Sequence, residues 1–157
     1  MRYDKLQVNY DLNYLLIALR TQIEDYQIAY FLNKSSFFIF KRMGKDLSCV
    51  INKDNIYFSA FHDHNTDLKR DSFLIRNKAI YNTESTKNNE LFFNTEISNI
   101  AFLIPELKEF DYFIKLEGVW KKKEIISLKH FLNKMDIIES ETSINLNTIS
   151  SINNLVF

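Results

Sequence analysis

His62-Asp63-His64, with Asp67 nearby, is the one stretch whose residue types and spacing suit a metal ion. In an extended segment, alternation would put both imidazoles on one side. Zinc centres take three or four protein ligands. Spacing indicates no third one here, so His62 and His64 are metal candidates within what otherwise reads as a solvated turn, and no bound metal is expected. Glu106 and Asp111, with Tyr112 beside them, offer a carboxylate pair for a ligand or partner. The plainer reading is that both satisfy backbone donors, as polar turn residues commonly do. Trp120 followed by Lys121-Lys122-Lys123 is a basic spot with an aromatic ring. It suits an acidic partner, or is simply a solvated helix start that opposes the helix dipole. Cys49, in Leu47-Ser48-Cys49-Val50-Ile51, shares a strand face with Leu47 and Ile51 and reads as a small hydrophobe, not a nucleophile. The sequence has no glycine-rich phosphate loop, no G-x-S-x-G and no H-E-x-x-H, so no catalytic residue and no cofactor are assigned.

These residues need elements to position them. Residues 14–19 form a continuous apolar run that reads as a central strand buried on both faces. Thr21-Gln22-Ile23-Glu24 has capping-box spacing and predicts a helix over residues 22–33 with Thr21 as its cap, Ile23, Tyr26, Tyr30 and Asn33 sharing a face. Strands are expected over 37–40, 47–51, 56–61, 72–75, 97–104, 110–117 and 137–144, and a second helix over 122–135. Residues 82–89 are the strongest loop candidate. Residues 97–104 read as strongly buried, and Leu16, Ile17, Phe102, Ile104, Tyr112 and Ile114 are the expected core. Only five residues separate strands 97–104 and 110–117, which predicts a hairpin with Pro105 opening its turn. The segment 110–144 has the length of a β-α-β crossover and resembles the end of a ferredoxin-like domain. Phe31-Leu32-Asn33-Lys34 recurs as Phe131-Leu132-Asn133-Lys134, which is too short to establish a repeat in so biased a composition.

Composition sets the outer bounds. At 157 residues and 46% hydrophobic, with 14 Phe and 8 Tyr, the chain has ample material for one core. The 20 Lys+Arg balance 20 Asp+Glu, so nothing advertises a nucleic-acid partner. A single cysteine forms no intramolecular disulfide and fits a reducing compartment. Met1-Arg2-Tyr3-Asp4-Lys5 leads into no apolar leader, and no apolar run is long enough to span a bilayer. A cytoplasmic protein without a membrane partner is expected. Glycine is scarce, at two residues, so turns must rely on Asn, Asp and Ser.

Ile104-Pro105-Glu106-Leu107-Lys108-Glu109-Phe110-Asp111-Tyr112 resembles the signature of the bacterial IPExxxVDY family, known mainly from Bacteroidota. It departs from the pattern only at Phe110, where the family has Val. Asp25-Tyr26 with Ala29, Leu32 and Asn33, and the closing Asn154-Leu155-Val156-Phe157, are similar to further family segments. The resemblance implies a single domain of this length and no particular activity.

The whole reading is one α+β domain over residues 1–157, with 145–157 a polar C-terminal tail. Two amphipathic helices cover one face of a mostly antiparallel sheet as a two-layer sandwich. Function is expected to lie in self-association or a protein partner, since aromatic residues favour interfaces. The alternatives are a small-molecule-sensing regulatory domain and an enzyme built on Glu106, Asp111 or His62.

Overall fold

The computed structural model describes residues 13–84 and 96–157. Residues 1–5, read above for a leader, and residues 85–89 of the expected loop lie outside them. Residues 82–84 continue a strand instead.

Among the described residues, ten strands and two α-helices succeed one another in the order β1 (Tyr14–Arg20), α1 (Asp25–Asn33), β2 (Lys41–Arg42), β3 (Leu47–Ile51), β4 (Asp54–Phe58), β5 (Ala60–Asn65), β6 (Arg70–Arg76), β7 (Lys78–Glu84), β8 (Glu96–Phe102), β9 (Tyr112–Glu117), α2 (Lys122–Lys134) and β10 (Ser140–Ser143). Six strands form a central antiparallel sheet in the order β10-β1-β9-β6-β5-β2. β3–β4 and β7–β8 are separate two-stranded ribbons. The α+β class and the antiparallel sheet are as expected. No helix among the described residues is long and apolar enough to cross a membrane.

Both β1 and β6 run antiparallel to the β9 between them, so they are parallel to each other. Likewise β9 and β10 are parallel, with β1 between them. With α1 following β1 and α2 following β9, the core is a double split β-α-β, the ferredoxin-like arrangement. The likeness seen in residues 110–144 thus extends to the whole core. The repeated Phe-Leu-Asn-Lys tetrapeptides fall at the C-terminal ends of α1 and α2, where Leu32 and Leu132 are both fully buried.

Alternation divides the sheet's residues between two cores. Ile17, Leu19, Leu74, Tyr112, Ile114 and Leu116 face the helices, which contribute Ile28, Ala29, Leu32, Leu128 and Leu132. Leu16, Ala18, Phe73, Ile75 and Phe113 face the other way, against Leu47, Ile56 and Phe58 of β3–β4, Ala101 of β8 and Ile149 and Leu155 near the C-terminus. The second face is therefore covered too, by ribbons and short 3-10 turns, where two layers were expected. On α1 the buried face is Ile28, Ala29 and Leu32, whereas Tyr26 and Tyr30 are exposed.

Several local expectations change for identifiable reasons. Thr21 does not cap α1. Its hydroxyl donates to Ile137 O at 2.5 Å, and Glu24 takes the cap position, its amide donating to Gln27 Oε1 at 3.0 Å. Residues 37–40 are not a strand. The Asn33 side chain accepts from Phe40 N at 2.6 Å and donates to Phe40 O at 2.9 Å, replacing the ladder bonds a strand would supply. The stretch 56–61 breaks at Ser59, where the chain passes from ribbon to central sheet. At the β3–β4 turn Asn52 and Lys53 both have positive φ, 51° and 69°, the backbone of a type I′ hairpin built without glycine. Gly118 has φ 93°, and a Cβ there would lie 2.7 Å from Lys69 O.

The largest correction concerns residues 97–117. Among the described residues β8 pairs only with β7, and β9 pairs with β1 and β6, so no hairpin joins them. β8 is an outer strand with Ile100 61% exposed; Phe102 is half-buried, and Leu103 takes the buried place. Pro105–Leu107 forms a single 3-10 turn, and fully buried Asn77, between β6 and β7, organises the path from Leu103 to Asp111. Its side chain accepts from Ile104 N at 2.9 Å and donates to Leu107 O and Phe110 O at 3.0 Å each. Its backbone donates to Asp111 O and accepts from Leu103 N, both at 2.8 Å.

Asn77→Ala should cost about 3 kcal/mol, because it strands buried partners on three backbone groups. Urea melts showing a loss under about 1 kcal/mol would mean those groups find other partners. Glu106 accepts from the hydroxyls of Ser150 and Ser151 and from Ser151 N, tying the 3-10 turn to the C-terminal segment. The Ser150 hydrogen bond, opposed by slight burial and aided by Ser151, holds its carboxyl below the ordinary carboxylate value. A depressed folded pKa stabilises above the unfolded value, and the benefit disappears as pH falls through the folded one. Glu106→Gln should therefore be mildly destabilising at pH 7, with the gap closing below about pH 4. A gap that persists at acid pH in paired denaturation curves would rule this out.

Candidate functional site

β5 and β6 form a hairpin whose register sets His62 opposite Phe73 and His64 opposite Asp71. Cross-strand partners point to the same side of a sheet. The neighbouring pairings extend this into two rows on the face away from the helices. Lys41, His62, Phe73, Lys115 and Leu16 make one row across five strands. His64, Asp71, Glu117 and Tyr14 make the next across four, and every member carries a polar group. One end of an otherwise apolar sheet face is thus chemically active.

Within the rows, His62 Nε2 lies 2.6 Å and His64 Nδ1 2.9 Å from the same oxygen, Asp71 Oδ1. The three ligand atoms all lie within 4.8 Å of one another. The Asp71 carboxyl is held below its usual range; slight burial opposes this, and the hydrogen bonds and charges of both imidazoles outweigh it. Phe73 stacks on His62 with ring centroids 4.5 Å apart and planes 6° from parallel, which fixes the ring's orientation. Both imidazoles line a cavity of about 540 Å³ together with Lys41, Arg42, Met43 and Gly44.

Lys115 supports this end of the sheet from beneath. It is only 2% exposed, yet its ammonium has partners on every side. It donates to Leu155 O and pairs with Glu117 Oε1, both at 2.7 Å. The rings of Tyr14, Phe157 and Phe73 lie 4.6, 4.4 and 5.5 Å away. Burial, reinforced by the Glu117 charge, pushes the Tyr14 hydroxyl up to about 12, so it stays protonated.

The structure brings His62 and His64 together, as alternation on an extended segment suggests, but in strand β5 and not in a turn. It adds Asp71, which the sequence reading missed. Asp67, the nearer carboxylate in sequence, lies in the β5–β6 turn. The signal was the hairpin register, which requires knowing where the turn closes.

Glu106 and Asp111 do not meet in one cavity. Glu106 is engaged with Ser150 and Ser151. Asp111 accepts from Thr21 N and pairs with Lys78 Nζ, each at 2.9 Å. With Tyr112 it lines a separate shallow cavity of about 220 Å³ that includes Arg76 and Lys78. The Tyr112 hydroxyl, pushed up by burial, donates to Ile23 O at the entrance to α1. Trp120 lies against the Arg70 guanidinium at 4.3 Å, and Arg70 in turn binds Glu124 at 2.6 Å. Glu124 also accepts from the amide of Lys121, completing the start of α2. Cys49 is half-buried, and burial pushes its thiol up, which disfavours the thiolate.

Set beside known proteins, the chain matches no family profile, no curated protein and no solved structure, so its own geometry carries the functional reading.

Proposed function

We propose that this protein binds a divalent transition-metal ion through His62 Nε2, His64 Nδ1 and Asp71 Oδ1. The observation that carries the reading is the convergence of these three atoms within 4.8 Å on two adjacent strands. Bonds of about 2.0–2.2 Å to a tetrahedral ion place ligand atoms about 3.4 Å apart. The two histidine–aspartate separations of 2.6 and 2.9 Å would open to that value, and the two imidazole nitrogens already lie within 4.8 Å of each other. Two imidazoles and one carboxylate suit zinc or iron(II), and three protein ligands leave coordination positions for water or a further ligand. Stacking on Phe73 supports the reading further, because outer partners that orient a ligand raise affinity. This is a binding domain on a ferredoxin-like core, the regulatory alternative of the sequence with a metal as its ligand.

Self-association is a second reading, favoured by a different surface. Tyr26 and Tyr30 lie one turn apart on α1 and are 64% and 58% exposed. The Lys34 ammonium continues the stripe 4.5 Å from the Tyr30 ring. Two such stripes related by a two-fold axis would each offer a cation to the other's rings. Light scattering that reports a monomer for the wild type at about 100 µM, well above the Kd that an interface of standard size gives, would end this reading.

Equilibrium dialysis against zinc followed by elemental analysis should find one ion per chain. His64→Ala, on an exposed side chain, and Asp71→Asn should each weaken binding by more than about tenfold, the loss that even an outer partner's removal brings. Zinc should also raise the melting temperature of the wild type and of neither variant. A wild type that retains no zinc, or variants that bind as well as it does, would remove the metal reading.

A further inference from the structure

The cavity beside the two imidazoles is lined by cations of unequal availability. The Arg42 guanidinium is already neutralised, by Asp25 at 3.1 Å and Asp46 at 2.6 Å. Lys41 pairs with no carboxylate among the described residues. The β2–β5 register sets Lys41 directly opposite His62, so its side chain leaves the sheet on the same face as the imidazole. A cavity of about 540 Å³ adjoins them, and a Cβ on Gly44, which helps line it, would meet nothing within 4 Å. Lys41, which has no ion-pair partner among the described residues, thus lines the same space as the imidazoles of the candidate metal centre.

Charge decides what kind of ligand fits. A divalent ion on two neutral imidazoles and one carboxylate keeps a net positive charge. Lys41 adds another. Asp63 also lines the cavity, from the opposite face of β5 by alternation, and offsets one of these charges. The balance remains positive, and the open coordination positions accept oxygen donors. A cation beside a metal is the arrangement that holds an oxyanion by two of its oxygens.

We propose that this cavity takes a small oxyanion, a carboxylate or a phosphate, with one oxygen on the metal held by His62, His64 and Asp71 and another on the ammonium of Lys41. The proposal rests on the metal-binding reading above. It makes Lys41 the residue that selects the ligand's charge and the metal centre the residue set that fixes its position.

Cobalt(II) reports both steps, since its visible absorption varies with coordination number. The wild-type chain is loaded with cobalt(II), then titrated separately with inorganic phosphate and with malonate. The expected result is a saturable change in the cobalt spectrum with at least one of the two, and the anion that produces it assigns the class. Lys41→Met should weaken that anion by about tenfold or more while cobalt(II) still binds, since the change removes one charge-assisted hydrogen bond. If the wild type takes up no cobalt(II), the metal reading fails and this one with it. If cobalt(II) binds but neither anion moves its spectrum, or both act equally on wild type and Lys41→Met, the oxyanion proposal is wrong and the metal reading stands.

Discussion

Asn77 makes five hydrogen bonds from a fully buried position, and the layering of the molecule depends on them. The chain leaves the central sheet after β6, builds the β7–β8 ribbon on the outer face, and returns to the sheet as β9. Exit and return lie side by side in the core, where backbone groups need partners. Asparagine can meet all of them at once, since its amide offers two donors and an acceptor beside its own backbone pair. Through it the return segment is positioned well enough for Asp111 N to reach Leu19 O at 2.9 Å and for Tyr112 to reach the start of α1. The nine residues from Ile104 to Tyr112 are thus the connection that joins outer ribbon, central sheet and first helix.

The two faces of the sheet do different work. The helix face is apolar in its middle and holds α1 and α2 in place, with Arg70 binding Glu124 of α2 at one end. The opposite face is apolar in the middle, under the ribbons, and polar at one end. The buried charge of Lys115 is tolerated because Glu117 and a carbonyl partner it, and the half-buried Asp71 is held by two imidazoles. Removing Glu117 would leave the Lys115 ammonium buried without its counter-charge. Phe73 links the two groups, stacking on His62 on one side and lying 5.5 Å from the Lys115 ammonium on the other. The chemistry of the cluster is therefore mechanically tied to the segment that ends at Phe157, whose ring meets Phe73 edge-on.

Much of the element order was legible because its signals are local. The apolar run at residues 14–19, the alternation in β9 and the helical spacing of Leu128 and Leu132 depend on near neighbours alone. What failed was pairing. Strands 97–104 and 110–117 are close in sequence and both apolar, so a hairpin was the natural inference. Nothing local says that the first is an outer ribbon or that Asn77, about thirty residues earlier, holds the second. The same limit hid Asp71. Its place opposite His64 is a matter of register, and Asp67 is the closer carboxylate in sequence. Thr21 shows a different failure: its capping spacing is real, but Ile137 O, at the far end of the chain, offered its hydroxyl another partner.

The place of β1 has a consequence for how the chain reaches this state. β1 is apolar without interruption from Leu15 to Leu19, and its two neighbours are β9 and β10. Both are synthesised roughly a hundred residues later or more, so on the ribosome β1 has no sheet partner until β9 has emerged. The β3–β4 and β5–β6 hairpins close over short turns and can form early, but neither pairs with β1 in the sheet. Assembly of the central sheet is therefore a late, long-range event, in the slower kinetic class of folds dominated by non-local pairing. During translation, the apolar residues 14–19 therefore wait unpaired longer than the strands of either hairpin.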